Sequence, residues 1–449
     1  MISNSNLNTM NLFQLILKFK NYPIGKSSHL LASIRQMDAK SFEEEKEIKK
    51  WCQFNYLVQN NVFYRSFIKS HLGGEFPKQW NDIPIITKKD IQKPLELILT
   101  SGFDNKSLFK NSTSGSTGNP FFFAKDKFSH AMTWALIMDR YGWHGIEYGK
   151  SLQARFYGIP LGGYKYYVET LKDLISSRVR FPVFDLSDKV LDSYIEVFKK
   201  KRFVYINGYA ASLVFFAGHC IKRGIILKDF CPSLKVCIPT SETCTDEDRE
   251  ILQKGFGIKV VNEYGCAEMD VIAFEDEDGD WITSDENVFI EVVDDENKPL
   301  SNGLTGKILL TTLYNKAIPL IRYEVGDIGS LSTFKKGNFN ILQNLSGRTN
   351  DFAIMPNGRK VPALTFYYVT KTLIKEHLAV KEFIIKQTSL NVFVVEYVSE
   401  MEFDNEIKEI IQVAFDKYLE PNLIVNFLKL DKIERGKTGK FKQFISLIK

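Results

Sequence analysis

Residues 111–120, with the sequence NSTSGSTGNP, form the stretch that is best suited to bind an anion. Hydroxyl groups, together with the accessible backbone N–H groups of glycine, can surround successive phosphate oxygens. The stretch is not a Walker A loop, because no Lys-Ser/Thr pair follows its second glycine. We therefore predict a phosphate-binding loop here, and the alternative is a solvated Ser/Gly linker.

A Gly-Lys-Thr run near the end of the chain, at residues 436–438, does not predict a P-loop either. The glycine that a P-loop needs five residues earlier is replaced by Asp431. The surrounding sequence RGKTGK could instead form a basic, flexible loop that carries Lys440 into a distant site. An ordinary cationic turn is the alternative.

Two acidic turns each follow an apolar run. The sequence EYGCAE at 263–268 follows IKVV, which places Glu268 near the carboxyl end of a predicted strand, where α/β sheets form their sites. The sequence RYEVGD at 322–327 places Asp327 after a similar run. A carboxylate in such a position can hold a metal ion or a ribose, and the alternative is an aspartate that stabilises its own turn.

The elements that must position these residues follow from hydrophobic patterning. Between about 110 and 345, the runs KVCIP, IKVVNEYG, NVFIEVV and GKILLTTL predict strands, whereas LDSYIEVFKK and ASLVFFAGHCIKRG predict helices. This alternation indicates an α/β architecture of mixed, largely parallel sheets. Residues 1–110 have a mainly helical pattern, and turn formers at 345–362 indicate a boundary before a small α+β domain. We expect domains at 1–348 and 349–449.

Composition excludes several classes of protein. The 449 residues are 44% hydrophobic and 25% charged, with a net charge of +5 that forms no basic stripe for nucleic acid. No apolar run reaches the roughly 20 residues that span a bilayer. The six cysteines form no C-x-x-C pair, and the spacing of Cys231, Cys237 and Cys244 matches no zinc site. We expect free thiols in the cytoplasm, and a monomer or homodimer.

The N-terminal sequence MNLFQLILKFK lacks the basic region and cleavage site of a signal peptide. Helical spacing places Leu12, Leu15, Ile16 and Phe19 on one face. We expect this face to dock on the body of the protein, and a peripheral helix at a membrane surface is the alternative.

Taken in order, these motifs resemble those of the AMP-forming adenylate ligase superfamily, specifically its phenylacetate–CoA ligase and capsule-biosynthesis branch. The resemblance covers about residues 80–445. At the level of the branch, IPIITKKD at 83–90 is similar to the Leu-Pro-x-x-Thr-Lys-x-Asp of phenylacetate–CoA ligases, and Ser241-Glu242 is similar to the adenine-side Gly-Ala-Glu turn. The resemblance implies a large N-terminal adenylate-forming domain and a small, mobile C-terminal lid domain.

The resemblance also implies roles for individual residues. Glu268 would bind Mg²⁺, Asp327 would grip the ribose hydroxyls, and Tyr264 would stack on the adenine. Asn350 would be the hinge, and Lys440 would contact the carboxylate and the α-phosphate. The implied catalytic residues are Lys440, Glu268 and Arg348. The implied ATP-binding residues are Ser112, Thr113, Ser114, Gly115, Ser116, Thr117, Gly118, Ser241, Glu242, Glu263, Tyr264, Gly265, Asp327 and Arg348.

Three positions depart from the pattern of the superfamily. Phe121 replaces a lysine that often follows the phosphate loop, Asn350 replaces the usual hinge aspartate, and Glu434 replaces a proline. Some members of the branch also carry a Cys/His metal site after the magnesium glutamate. The corresponding sequence, AFEDEDGDWITSDENVFIEV, contains neither residue, so we predict no structural zinc.

The activity that the resemblance implies has two steps: a carboxylic acid is joined to AMP from ATP, with Mg²⁺, and is then transferred to an acceptor. We expect the thiol of CoA as acceptor, and the alternatives are an amine or sugar in surface-polysaccharide biosynthesis, or a non-catalytic nucleotide-binding protein. Tyr157, Gly158, Gly208 and Tyr209 are candidates for the acyl pocket, although such residues also occur in plain cores. His130 and His144 are expected to be structural.

Overall fold

A computed structural model describes residues 11–104, 106–112, 121–158, 164–183, 186–241, 244–346, 352–362, 365–366, 369, 380–399, 401–431, 433 and 444–448. The helices are α1 Leu12–Phe19, α2 Ile24–Arg35, α3 Ala39–Asn60, α4 Val62–Leu72, α5 Lys88–Ile91, α6 Leu95–Ile98, α7 Lys127–Gly142, α8 Tyr164–Ile175, α9 Asp188–Lys200, α10 Ala210–Lys222, α11 Leu227–Phe230, α12 Asp246–Phe256 and α13 Asn405–Tyr418. A short 3₁₀ helix spans Trp80–Asp82.

The strands up to residue 346 are β1 Ile86–Thr87, β2 Leu108–Ser112, β3 Phe122–Asp126, β4 Gln153–Phe156, β5 Arg178–Phe181, β6 Tyr205–Tyr209, β7 Val236–Thr240, β8 Lys259–Val260, β9 Glu263–Cys266, β10 Asp270–Glu275, β11 Trp281–Thr283, β12 Val288–Val293, β13 Gly306–Thr312, β14 Tyr323–Lys336 and β15 Phe339–Ser346. The later strands are β16 Phe352–Ile354, β17 Lys360–Pro362, β18 Val380–Ser389, β19 Val392–Ser399, β20 Ile424–Lys429 and β21 Phe444–Ser446.

A five-stranded sheet in the order β5-β4-β6-β7-β8 is parallel throughout. Helical connections make this possible, because parallel neighbours need a crossover between them. One face packs on an aromatic core in which the rings of Phe156 and Phe181 stack at 4.7 Å. Phe198 and Phe216 extend this core. Part of the aromatic content of the sequence therefore fills the interior beneath this sheet.

A second sheet follows the order β12-β13-β14-β15-β11-β10-β9, and β1 pairs in parallel with β14. Its other pairs are antiparallel, because tight connections join successive strands. Arg322, at the entry to β14, donates from Nη1 to the backbone oxygens of Asn81 and Ile83 and from Nε to Glu291. These contacts hold the helical N-terminal region against β14.

The mixed α/β class that the sequence predicted is confirmed. The run KVCIP forms β7, and LDSYIEVFKK and ASLVFFAGHCIKRG lie in α9 and α10. The five-stranded sheet is wholly parallel, whereas the larger sheet is mainly antiparallel and the C-terminal sheet combines both kinds of pair, so the prediction of largely parallel sheets holds for the first sheet alone. Residues 11–98 are mainly helical, as expected, and β2 begins before residue 110.

The region after residue 351 has a core of its own, which includes Phe366, Phe393, Phe415 and Phe444. Its four-stranded sheet has the order β20-β19-β18-β21, and β16 pairs with β17. Within the ranges given above, these strands pair with one another and with none of β1–β15. The predicted boundary at 348/349 lies outside the described residues.

Helix α1 packs on the body through a different face from the one that the sequence predicted. Phe13 and Leu17 are buried, and the ring of Phe13 lies 4.7 Å from Trp134 and 5.1 Å from Tyr148. The exposed apolar residues are Leu12, Leu15 and Phe19. The prediction of the docking face was wrong, because both sides of this helix are apolar and the aromatic pocket accepts Phe13. No described helix is both long and apolar enough to cross a membrane.

Candidate active site

The carboxyl edge of the five-stranded sheet brings together most of the predicted acyl-pocket residues. Tyr157 and Gly158 follow β4, Gly208 and Tyr209 end β6, and Ser241 follows β7. The strands are parallel, so their carboxyl ends meet at one edge, where α/β sheets bind ligands. The rings of Tyr157 and Tyr209 lie 4.5 Å apart. The sheet thus places Tyr157 and Tyr209, which follow or end neighbouring strands, side by side.

Gly208 also has a packing role that requires no ligand. A Cβ at this position would lie 2.6 Å from the Cβ and the backbone oxygen of Phe156, on the neighbouring strand. Such a contact is far below the separation of real atoms, so the absence of a side chain lets β6 approach β4. The glycine is therefore explained by the sheet itself.

The end of β7 is tied to the start of β9 through Glu263. Thr240 donates to Oε1 of Glu263 at 2.7 Å, and the hydroxyl of Tyr141 donates to Oε2 at 3.1 Å. Burial raises the pKa of the Glu263 carboxyl, and these two hydrogen bonds oppose that effect. Ser241, the next residue after Thr240, has a φ of +70°, which is rare for a residue with a side chain. The chain turns sharply there.

Two tyrosine–carboxylate pairs join β9 to β14. The hydroxyl of Tyr264, on β9, donates to Oδ2 of Asp327 on β14 at 2.9 Å. In the reverse sense, the hydroxyl of Tyr323 on β14 donates to Oε1 of Glu268, in the turn after β9, at 3.0 Å. Tyr323 is 1% exposed and Glu268 is 7% exposed. These crossed pairs connect two strands of the same sheet, β9 and β14, and orient both predicted functional carboxylates between them.

The turn that carries Glu268 depends on Gly265 and on a buried ion pair. A Cβ at Gly265 would lie 2.3 Å from the backbone oxygen of Asp270. Asp270 itself forms an ion pair with Lys125 and accepts a hydrogen bond from Thr133 at 2.7 Å. Lys125 and Asp270 have side chains that are 3% and 7% exposed. The turn is therefore fixed to β3, the strand that follows the predicted phosphate loop.

Strands β2 and β3 frame the predicted phosphate loop. They are antiparallel, and Ser112 lies opposite Phe122. Thr113, Ser114, Gly115, Ser116, Thr117 and Gly118 lie outside the described residues, as do Glu242, Arg348, Asn350 and Lys440. The predicted roles of these residues remain predictions.

The donor set at Glu268 fits a magnesium ion. Oε1 accepts the hydrogen bond from Tyr323, and no described residue donates to the other carboxylate oxygen. Mg²⁺ is commonly held by one or two carboxylates together with substrate phosphates, so a single glutamate at this position is sufficient. Within the described part of the chain, no group of three or more His, Cys, Asp or Glu residues could hold a metal ion.

Both histidines that the sequence singled out are held by protein contacts. His130 stacks on Phe109 at 4.0 Å and accepts from Nε1 of Trp134 at 3.1 Å. Burial, followed by the nearby charge of Lys125, lowers the pKa of His130 from 6.5 to about 3. His144 contacts the backbone oxygen of Glu275 through Nε2 at 2.8 Å.

Several residues at the site escaped the sequence analysis. Tyr323, Tyr141 and Thr240 each donate to one of the candidate carboxylates. Tyr141 and Thr240 lie in runs without a motif, and Tyr323 lies within the RYEVGD turn, where attention went to Asp327, so only the three-dimensional pairing reveals these contacts. Arg155, next to Tyr157, was also missed, although a charged residue inside the run QARF was a usable signal.

No protein-family model matches the chain. The chain is 27% identical to Protein CapK of Staphylococcus aureus over 313 residues, which are 67% of this chain and 66% of CapK. It is 32% identical to phenylacetate–coenzyme A ligase of Thermus thermophilus over 144 residues, which are 30% of this chain and 32% of the ligase. The matched segments thus span less than two thirds of these relatives.

Among solved structures, the fold is similar to that of 2-hydroxyisobutyryl-CoA ligase in complex with 2-HIB-AMP and CoA. The TM-score is 0.58 at 16% identity, with 91% of this chain and 90% of that chain covered. The motifs in order, the CapK and phenylacetate–CoA ligase matches and this fold agree. These matches in sequence support the CapK-like and phenylacetate–CoA ligase branch of the AMP-forming adenylate ligase superfamily as the family that the chain resembles.

Proposed function

We propose that this protein is an ATP-dependent, AMP-forming ligase that activates a carboxylic acid and transfers it to the thiol of CoA. The crossed tyrosine–carboxylate pairs are the observation that carries the proposal. They orient Glu268, which we assign to the metal ion and the phosphates, and Asp327, which we assign to the ribose, between β9 and β14 of the same sheet. The relatives named phenylacetate–coenzyme A ligase support a thiol acceptor.

In the first step, a carboxylate oxygen attacks the α-phosphorus of ATP, the bond to the β-phosphate bridging oxygen breaks, and pyrophosphate leaves. Both reactants are anions, so the reaction needs cations that offset their charge. We assign Lys440 to the carboxylate and the α-phosphate, and Arg348 to the nucleotide. Mg²⁺, when bound, supplies charge neutralisation on the phosphates. Glu268, oriented by Tyr323, would hold that ion.

The remaining residues of the site would bind ATP without taking part in bond changes. Asp327 would accept hydrogen bonds from the ribose hydroxyls, with Tyr264 as its anchor and as a surface for the adenine. Ser241, Glu242, Glu263 and Gly265 would lie on the adenine side. The residues assigned to the phosphates are Ser112, Thr113, Ser114, Gly115, Ser116, Thr117 and Gly118.

In the second step, the acceptor sulfur attacks the acyl carbonyl carbon, the bond to the AMP oxygen breaks, and the thiol proton passes to solvent. We propose that the region after Asn350 rotates between the steps and withdraws Lys440. A mobile lid of this kind is a common way for an enzyme to present a second face to a bound intermediate. An amine or sugar nitrogen in place of the thiol would give an amide by the same route.

The half-reactions test this proposal separately. Lys440→Ala should abolish acid-dependent ATP–pyrophosphate exchange and leave transfer from supplied acyl-AMP largely intact. Equal loss of both half-reactions would contradict the rotation. Mass spectrometry of the products formed with CoA and with amino sugars would identify the acceptor. ATP binding without exchange, across a broad panel of acids, would support a non-catalytic protein instead.

We also infer a cytoplasmic protein that acts on small molecules as a monomer or homodimer. All six cysteines are free, and Cys52 is exposed, which fits a reducing compartment. The exposed side of α1, formed by Leu12, Leu15 and Phe19, would be the part available for peripheral contact with a membrane surface.

A further inference from the structure

Arg155, on β4 at the edge of the candidate acyl pocket, has a guanidinium that lies against an aromatic ring and forms no ion pair with the residues that the structure describes. Its guanidinium carbon lies 4.3 Å from the ring centre of Tyr157. Its Nε is fully buried and makes no hydrogen bond. No ion pair or hydrogen bond joins this guanidinium to any residue that the structure describes, although the residue as a whole remains partly exposed.

The neighbouring strand, β5, carries two arginines on the same face of the sheet, and both form ion pairs. In register, Arg155 lies beside Arg180, and Arg178 lies two positions earlier on β5. Arg178 and Arg180 both donate to Asp173. Arg180 also donates to Glu169, at 3.0 Å. Arg178 and Arg180 thus have carboxylate partners in Asp173 and Glu169, whereas Arg155 forms no ion pair with either carboxylate.

The charge of Arg155 acts on its surroundings. Burial, followed by the positive charge of Arg155, lowers the pKa of Arg178. Glu263 also lies within electrostatic range of Arg155, but its two oxygens accept from Thr240 and Tyr141. Asp173 attracts the charge of Arg155 at longer range, but no described carboxylate forms a hydrogen bond or an ion pair with its guanidinium.

An unpaired, partly buried charge is unfavourable in a folded protein unless something else neutralises it. A guanidinium presents its donors as a planar fork that matches a carboxylate or a phosphate. The side chain of Arg155 lies against Tyr157, and Tyr157 contacts Tyr209. The guanidinium therefore lies at the carboxyl edge of the sheet, where we expect the acid to bind. A ligand anion is the partner that this position fits.

We propose that the acid activated by this protein carries a second anionic group, and that Arg155 binds that group. This inference rests on the proposed function. The reacting carboxylate would face the nucleotide, and the second anion would lie against the guanidinium. Both a distal carboxylate and a distal phosphonate or phosphate share the chemistry that Arg155 recognises. The contrary view is that Arg155 only packs on Tyr157 and shapes an apolar pocket.

Three acids with the same four-methylene spacing test the inference: hexanoate, adipate and 5-phosphonopentanoate. We expect wild-type exchange to show a higher kcat/KM for the two dianionic acids than for hexanoate. Arg155→Met should lower kcat/KM for the dianionic acids by about 10- to 100-fold, the range for a lost hydrogen bond to a charged group, and change hexanoate less than threefold. Arg155→Lys should give a kcat/KM for the dianionic acids between those of wild type and Arg155→Met, because lysine keeps the charge and lacks the planar pair of donors. The two dianionic acids distinguish a carboxylate from a phosphonate.

Arg223→Met is the matched control, because Arg223 is an exposed arginine that pairs with Asp192. It should leave all three acids unchanged. A wild-type preference for hexanoate, or an equal loss for all three acids in Arg155→Met, would overturn the inference while the proposed function stands.

Thermal unfolding with each acid gives a readout that does not require catalysis. Adipate or 5-phosphonopentanoate should raise the Tm of the wild-type protein more than hexanoate does, and Arg155→Met should lose that difference. If the shift is seen without exchange for any acid, the Arg155 site stands and the proposed function fails. Equal shifts in both proteins, or no shift in either, would contradict the Arg155 site.

Discussion

The hydroxyl of Tyr264 donates to the carboxylate of Asp327 across 2.9 Å, from the edge strand β9 to β14. These strands are not neighbours in the sheet, because β10, β11 and β15 lie between them. The reverse pair, Tyr323 to Glu268, joins the same two elements. Each candidate ligand-binding carboxylate is thus oriented by a tyrosine from the other strand, and either tyrosine can be tested by removing one oxygen atom.

Tyr264→Phe should weaken the binding of ATP. The change keeps the ring and removes the donor that orients Asp327, the residue assigned to the ribose. A hydrogen bond to a charged group contributes about 1.5–3 kcal/mol, so we expect the KM for ATP to rise about 10-fold or more, with a smaller change in kcat. Pyrophosphate exchange measured against ATP concentration checks this. An unchanged KM for ATP would show that the hydrogen bond from Tyr264 to Asp327 does not contribute to the binding of ATP.

Tyr323→Phe should instead alter the dependence on Mg²⁺. Glu268 would lose the donor at Oε1 and would no longer be held in one orientation, so we expect half-saturation by Mg²⁺ to require a several-fold higher concentration. Electron paramagnetic resonance of bound Mn²⁺ gives the same comparison without turnover. Tyr397→Phe is a suitable control, because its hydroxyl contacts the backbone of Phe403, in the C-terminal sheet. Identical metal affinity in Tyr323→Phe and wild type would contradict the assignment.

Gly265→Ala should destabilise the turn that carries Glu268. The added Cβ would lie 2.3 Å from the backbone oxygen of Asp270, and this backbone atom cannot move away without a cost in the free energy of folding. We expect a loss of about 1–3 kcal/mol in the free energy of unfolding, together with a loss of exchange. Gly218→Ala is the control: this helical glycine has nothing within 4 Å of an added Cβ, so stability should rise by about 0.5–1 kcal/mol. Urea unfolding measures the stability of both variants. Equal changes in the two variants would show that the close contact with Asp270 does not explain the glycine at position 265.

His130 should make the protein less stable as the pH falls below 6.5. Its pKa is about 3 in the folded protein and 6.5 as the reference value, so between these limits the unfolded chain binds a proton that the folded chain does not. The sign is therefore a loss of stability with decreasing pH, of at most about 1.4 kcal/mol per pH unit.

His130→Gln keeps an acceptor for Trp134 and removes this titration. Between pH 6 and pH 5, wild type should lose about 1 kcal/mol more stability than the variant, measured by urea unfolding at each pH. Because the carboxylates titrate alike in both proteins, parallel losses would show that His130 is readily protonated in the folded state.

The sequence predicted the mixed α/β fold, because strand and helix patterns are local signals, and its assignment of site residues from ordered motifs stays a prediction. It placed Glu268 and Asp327 in turns or strands after apolar runs, and the structure orients both between β9 and β14. It could not predict the crossed pairs, since Tyr264 and Asp327 are 63 positions apart and their contact depends on how the sheet folds.

Other features required the packed structure for a different reason. Helical spacing in α1 offered two apolar sides, and only the aromatic pocket of Trp134 and Tyr148 decides that Phe13 is the one that docks. That Arg155 lies against Tyr157 and forms no ion pair with a described residue is likewise a property of its surroundings, which no spacing of residues encodes.

Acid-dependent ATP–pyrophosphate exchange in wild type and in Glu268→Gln tests the central claim most directly. If Glu268 holds the metal ion at an adenylating site, wild type should exchange with at least one carboxylic acid, and Glu268→Gln should reduce that exchange by about 100-fold or more while the protein stays folded. Exchange that is independent of added acid, or equal in the two proteins, would contradict the account.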